Sequence, residues 1–257
     1  RSWRQRAGTS ARATSSAVGN CAKSARHIAI GPALRSLAHQ PGTGATEAAA
    51  VVRPRDPLAT RAALLAAATE EFARHGYAGA RIDRLVKRAG TSVRMVYHYF
   101  GSKTGLYISV LEEAMRSLRQ EELKLELDHV EPLDGLLRLL DFIYDHFEAH
   151  PELISLLSAE NLQAARYLKQ SKAIKRMSSP VIALIDKLVC QGIAAGRLRP
   201  DLDSLQLYVT MVALSYFHLS NVHTLSVIFD QDLRRPAWRA ERRAAVRAML
   251  ACYLEAD

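Results

Sequence analysis

Cysteine is scarce in this chain. Its 257 residues include only Cys21, Cys190 and Cys252. An odd number, spread this far apart, excludes a disulfide framework and gives no pair at metal-ligand spacing. Free thiols in a reducing cytoplasm are the expectation. Aromatic residues are also few, at 7%. No stretch reaches the ~18 consecutive apolar residues that a bilayer span requires. The segment Leu205 to Leu219 comes nearest, and Thr210, Ser215 and His218 interrupt it. A soluble chain with no membrane partner is therefore expected. Strand-like alternation is missing, so no glycine-rich phosphate loop can follow a strand. Neither a Gly-x-Ser-x-Gly elbow nor a His-Glu-x-x-His zinc helix occurs. His146 and His150 lie four apart, but Pro151 ends that helix at once. We expect no enzyme, no catalytic or metal-binding residue and no cofactor.

Acidic residues are nearly absent from residues 1–55, which hold nine Arg and Lys against Glu47 alone. The rest of the chain holds 26 basic and 25 acidic residues, so the net charge of +9 belongs mostly to this segment. It is rich in Ala, Arg, Ser, Thr and Gly, has no sustained apolar periodicity, and is broken at Gly31-Pro32 and Pro41-Gly42. We expect a disordered tail. Its composition mimics a transit peptide. A basic arm that reinforces DNA binding is one reading. The other is that part of the tail precedes the natural start, with Val51 or Val52 first if its codon is GTG.

What the chain does have is concentrated in residues 82–103. Ile82, Leu85, Val86 and Ala89 fall at helical spacing and make one apolar face. Gly90 supplies a turn that suits a residue without Cβ. Ser92 is placed to cap the next helix, with Thr91 able to share the role. In that helix Val93, Val96 and Phe100 fall on one side, and Arg94, Tyr97 and His98 on the other. An apolar back with an Arg/Tyr/His front suits the major groove of DNA. The charge agrees: residues 60–103 carry eight bases and three acids, while residues 112–134 carry eight acids and three bases. A basic head beside an acidic stalk is the footprint of a protein that docks one end on phosphates.

These residues resemble the TetR-type family of bacterial transcriptional regulators. The likeness runs from about Thr60 to Leu118. It rests on the apolar helix Ala62 to Phe72, His75-Gly76-Tyr77, Ala89-Gly90-Thr91-Ser92, Val96-Tyr97-His98-Tyr99-Phe100, Ser102-Lys103 and Leu106-Tyr107. The family usually has Thr or Ser before the second helix. Arg81 stands there instead, a loss of about 1 kcal/mol of capping unless Asp83 compensates through the helix dipole. The resemblance implies an all-α fold. A three-helix, helix-turn-helix head (56–120) is followed by a helical ligand-binding and dimerisation domain (121–257), with about nine helices in all. It implies a sequence-specific repressor, cytoplasmic in a bacterium and nucleoid-associated when bound. Its partners would be a double-stranded DNA operator, a small-molecule inducer and a second copy of the chain. Arg94 is the expected base reader, being in the first turn of the recognition helix. Thr91, Ser92, Met95, Tyr97, His98 and Lys103 are the other expected DNA contacts, with Tyr97 and Lys103 on phosphate. A constitutive architectural DNA-binding protein is the alternative, and an all-helical enzyme a remote third.

Helices are expected near 58–75, 82–89, 92–99, 103–127, 133–149, 151–168, 171–195, 202–224 and 237–255, with Pro180 kinking the seventh or shifting its start. The helix at 202–224 is apolar nearly all round, so it must be covered on most sides. The helix at 237–255 pairs an apolar stripe with Arg239, Arg242, Arg243 and Arg247. We expect these two helices to form a four-helix dimer bundle with their symmetry mates. Among polar residues on apolar helices, Tyr144, Asn161, Tyr216, His218 and Asn221 are the expected pocket set. His146, Tyr167 and His223 could line it too, while His218 and Asn221 with Tyr216 interrupt the most apolar helix and could equally hydrogen-bond across a dimer interface. Each of these could instead be an ordinary core or surface residue.

Overall fold

The computed structural model describes residues 56–177 and 179–256, without the side chains of Asp128 and Ser179. The expectations for residues 1–55 lie outside the described residues. Among the described residues there are eleven α-helices, two 3-10 turns and a single β-bridge between Leu198 and Glu255.

The head is built from α1 (Pro57–Gly79), α2 (Ile82–Arg88), α3 (Val93–Phe100) and the start of α4 (Lys103–Leu123). Asp56 caps α1 by accepting from Leu58 N–H, and Gly76 bends its end at φ +62°. Leu64, Leu65, Ala68 and Phe72 face Leu85, Val86, Val96 and Phe100 across the head core. Aromatic rings extend this core. Phe72 meets Tyr107 edge-on at 4.8 Å, and Tyr77 lies 4.3 Å from Tyr167. Leu156 and Tyr167 belong to this cluster although they lie far along the chain.

The body follows as α5 (Pro132–Ala149), α6 (Pro151–Leu162), α7 (Lys172–Met177), α8 (Ser179–Ala194), α9 (Ser204–Ser220), α10 (Val222–Ile228) and α11 (Pro236–Leu254). Leu136, Leu140, Ile143 and Phe147 of α5 pack on Val181, Ile185 and Leu188 of α8, on Leu207 and Met211 of α9, and on Val246 and Leu250 of α11. The two cores are joined by α4, since Leu106, Tyr107, Val110 and Leu111 enter the head core and Leu118 the body core.

Several helices end earlier than their sequences suggest. The expected helix 151–168 stops at Leu162, because Ala164 and Ala165 turn left-handed at φ 52° and 56°. Glu160 then accepts from the N–H groups of Tyr167 and Leu168, at 3.1 and 2.9 Å, and Tyr167 swings into the head core. The fourth helix ends at Leu123, four residues early, and Glu126 turns the chain at φ 46° to bury Leu127. Pro180 falls at the start of α8, so the expected 171–195 is two helices. The expected 202–224 becomes α9 with α10 after it, broken at Asn221. Residues 172–194 are long and apolar enough to cross a bilayer by length and composition, but Val181, Ile185, Leu188 and Val189 are in the body core.

Candidate DNA-binding face and ligand cavity

The turn between α2 and α3 closes with two backbone bonds. Thr91 N–H reaches Val86 O at 3.0 Å and Gly90 N–H reaches Lys87 O at 3.3 Å. Gly90 has φ +61°, as this C-terminal motif requires. On α3, Val96 and Phe100 are buried while Arg94, Tyr97 and His98 are exposed, so the apolar back and polar front are real. Val93 is the exception. It was expected on the seated side, but it stands open at the first turn with 36% exposure. Ser92 holds the N-cap backbone position, yet its hydroxyl makes no capping bond, contrary to expectation. The exposed first turn of α3 thus keeps N–H groups free for an outside acceptor. Met95 is half-buried against the head core.

The missing cap on α2 is offset from α1. Glu71, 1% exposed, accepts from Arg81 N–H at 3.0 Å and from Arg84 Nε at 2.8 Å. Burial pushes the Glu71 carboxyl up, but Arg84, the Arg81 N–H and His75 outweigh it and hold the carboxyl below its usual range. Arg88 pairs with Glu70 at 3.2 Å. Two of the head's bases are therefore occupied within it, whereas Lys87 and Arg94 make no ion pair with any described residue. Lys103 donates to Ala80 O at 2.7 Å and lies over the Tyr77 ring. It fastens the α1–α2 corner to α4. Gly105 lets α4 close against α3, since a Cβ there would sit 2.1 Å from Phe100 O.

In the body, α11 is stapled to α5 by charge. Arg247 pairs with Asp141, Arg243 with Asp141 and Asp145, and Arg239 lies 3.8 Å from Glu148. Arg242 does not join this ladder. It borders a cavity of about 410 Å³ with Phe217, His218, Leu225, Phe229, Gln231, Leu233 and Trp238. Behind the cavity the buried Tyr144 hydroxyl lies 3.0 Å from His218 Nε2, with the two rings stacked. Burial, then Arg242 and Arg239, lower the His218 pKa to about 4, so its imidazole is neutral at physiological pH.

The head matches the family described as "Bacterial regulatory proteins, tetR family" over residues 64–110, and the body matches "Tetracyclin repressor-like, C-terminal domain" over 132–250. The chain is 36% identical to the HTH-type transcriptional repressor NicS of Pseudomonas putida over 182 residues, covering 71% of this chain and 86% of NicS. The chain belongs to the TetR family. Among solved structures, the regulator SCO4942 of Streptomyces coelicolor superposes with a TM-score of 0.58 at 29% identity, over 76% of this chain and 98% of that one. A TetR transcriptional regulator of Chloroflexus aurantiacus gives 0.59 at 20% identity, over 79% and 100%, which speaks to the fold alone.

This TetR-family protein is thus a DNA-binding transcriptional regulator, with an all-α fold as the sequence implied. Of the residues expected at the DNA, the structure puts Thr91, Ser92, Arg94, Met95, Tyr97 and His98 on or beside α3, and Lys103 at the foot of α4. The expected pocket set does not converge. Tyr144 and His218 meet, and His218 alone lines the cavity. Tyr216 turns away to Ser158, 2.9 Å from its hydroxyl. Asn161 is exposed at the end of α6, and Asn221 spends its amide on Phe217 O and Ser220 Oγ. Tyr167 is head core, His223 is exposed, and His146 stacks 4.3 Å from His150. Sequence reading missed Glu71, although an acid on the apolar stripe of α1 was a signal. It also missed Arg242 as the odd member of the arginine row, and Trp238 and Phe229 as cavity walls.

Proposed function

We propose that this regulator is a small-molecule-responsive repressor that binds a two-fold operator as a homodimer in a bacterial cytoplasm. The observation that carries the DNA reading is α3 itself. A helix clamped by Val96, Phe100 and the Gly105 approach presents Arg94, Tyr97 and His98 outward. Arg94 reads a base edge, and Tyr97, His98 and Met95 flank it. Thr91 and Ser92 offer phosphate their hydroxyls, beside the open N–H groups of the first turn of α3. Lys103 adds a phosphate contact with the N–H groups that Ala80 leaves free.

The dimer reading rests on unpaired apolar residues of the last two long helices. Leu205 and Val209 of α9 and Met249 and Tyr253 of α11 are all about half exposed or more. Two recognition helices then address half-sites ~34–36 Å apart or a multiple of that. Repression follows the naming of NicS as a repressor. Response to a ligand is favoured over constitutive binding by the roomy cavity at α9–α11 with its convergent polar groups. A ligand preferring one spacing of the heads shifts the dimer towards it, and α4 carries the change.

Selection of DNA fragments by the purified protein tests the reading. An inverted repeat should be recovered. Arg94→Ala should lose about 1–3 kcal/mol of affinity and relax the preference at one position per half-site. Recovery of random sequence, or an Arg94→Ala profile identical to the parent, would overturn it.

A further inference from the structure

The arginine row of α11 contains an exception that its neighbours make informative. On α5, Asp141, Asp145 and Glu148 face α11 and engage Arg247, Arg243 and Arg239. Arg242, one step round the helix from this row, has no carboxylate and no hydrogen-bond acceptor among the described residues. Its Nε is buried without a partner; the Nε of Arg239 is too, but that guanidinium lies 3.8 Å from Glu148. An arginine that is half-buried and unpaired loses hydration without recovering it, a cost that a bound anion removes. The side chain lines the cavity of about 410 Å³, within the size range of small-molecule sites.

The other walls say what the anion is attached to. Phe217, Phe229 and Trp238 supply flat apolar faces, and Leu225 and Leu233 close the space between them. The polar atoms are few: the Arg242 guanidinium, the Gln231 amide and the ring of His218. His218 is 3% exposed, its Nε2 is taken by Tyr144, and its Nδ1 has no hydrogen-bond partner. Held neutral, that imidazole adds no repulsion to a cationic ligand, but Arg242 and the nearby Arg239 do. A neutral ligand would leave the Arg242 fork as it is.

We propose that the cavity between α9, α10 and α11 binds a small planar aromatic carboxylate, its carboxylate on Arg242 and its ring between Trp238 and the two phenylalanines. This rests on the ligand-responsive reading above and names the class of ligand. The forked guanidinium matches the two carboxylate oxygens. The ring stacks on faces that are otherwise open to water.

The chain has two tryptophans, Trp3 and Trp238. In a full-length Trp3→Phe background, Trp238 fluorescence therefore reports the cavity alone. Benzoate and 2-naphthoate are titrated against their amides, with thermal shift as a second readout. The expected result is quenching by the acids, with the amides at least about tenfold weaker. Arg242→Gln should abolish that preference, and Arg242→Lys, which keeps charge without the fork, should retain part of it. Circular dichroism of both variants confirms folding. Equal binding of acid and amide overturns the proposal, as does a preference that survives Arg242→Gln. So does no response to any probe at millimolar concentration, the result expected if a second copy of the chain fills the cavity. Operator retention, measured in the same titrations, separates the two ideas. Carboxylate binding without operator release leaves the site standing and removes its regulatory role. Release by a ligand that leaves Trp238 unchanged does the reverse.

Discussion

The perturbation Arg119→Met should unlatch α4 from the body. Arg119 and Glu122 sit one turn apart on α4, and both reach Tyr208 on α9. The Arg119 guanidinium donates to Glu122 Oε2 and to the Tyr208 hydroxyl, which in turn donates to Glu122 Oε1 at 3.1 Å. The guanidinium also lies over the Tyr208 ring, 4.9 Å from its centre. Glu122 is 0% exposed. Burial pushes its pKa up, and Arg119 and Tyr208 pull it back only in part. Removing the guanidinium leaves a buried carboxyl with one partner. It can escape by taking a proton, and that escape bounds the cost. From the ordinary value of 4.5 to pH 7 it amounts to about 3.4 kcal/mol, at ~1.36 kcal/mol per pH unit. Lost packing and hydrogen bonds place the total near the ~3–5 kcal/mol typical of breaking a buried pair.

The sign of the pH dependence follows. The folded-state pKa of Glu122 is already raised in the parent and rises further once Arg119 is gone, so the folded variant holds its proton to higher pH. Its deficit against wild type should be smallest at acid pH, where only lost packing and hydrogen bonds remain, and grow as pH rises towards the folded pKa of the variant. Urea denaturation at fixed protein concentration, at pH 5 and pH 7, measures both terms. The double variant Arg119→Met, Glu122→Leu should recover most of the loss, since a well-packed apolar pair replaces an ionic one at little or no cost. A single-variant deficit below about 1 kcal/mol, or one equal at both pH values, would refute the reasoning.

Three further outcomes are expected. Glu71→Gln should cost the head about 1.5–3 kcal/mol through its charge-assisted bonds to Arg84 and Arg81 N–H; because the Glu71 pKa is depressed, that contribution is present above 4.5 and is lost as pH falls through the folded value, so acid melts of variant and parent should converge. Lys103→Ala should weaken binding to all DNA sequences alike, lower the salt slope by roughly one unit, and lower the melting temperature through its lost bond to Ala80 O. Val209→Asp should abolish the dimer and operator binding together while circular dichroism stays unchanged; a variant that sediments as a dimer would refute the assigned interface. Leu214 is unsuitable for that test because it packs partly on the body core.

The head was legible because its information is local. Gly90, the Val96/Phe100 spacing and the Ser102 cap each act within a few residues, so α2 and α3 start and stop within a residue of expectation. Contacts distant in sequence were not legible. Nothing near Ala164 or Ala165 announces a left-handed turn, since both are good helix formers. The turn exists because Glu160 gathers two N–H groups and the head core draws in Tyr167. The expected pocket residues lie apart for a related reason. A polar residue that interrupts an apolar helix can bond locally, as Tyr216 and Asn221 do with their neighbours. Arg242 was passed over as one of a surface row. Only the carboxylates on α5, about a hundred positions away, distinguish it from Arg239 and Arg243.

The placement of Leu156 and Tyr167 inside the head core bears on any attempt to graft this reading module onto another sensor. A fragment cut after α4 would carry the recognition residues and lose two of its own core side chains, exposing the aromatic faces of Phe72, Tyr77 and Tyr107. A working chimaera must bring α6 and the turn at 163–168 along, or supply equivalent plugs from the recipient. By the same logic, a new body joined at the end of α4 would change operator affinity before any ligand is added. It would fill the places of Leu156 and Tyr167 in the head core with different side chains.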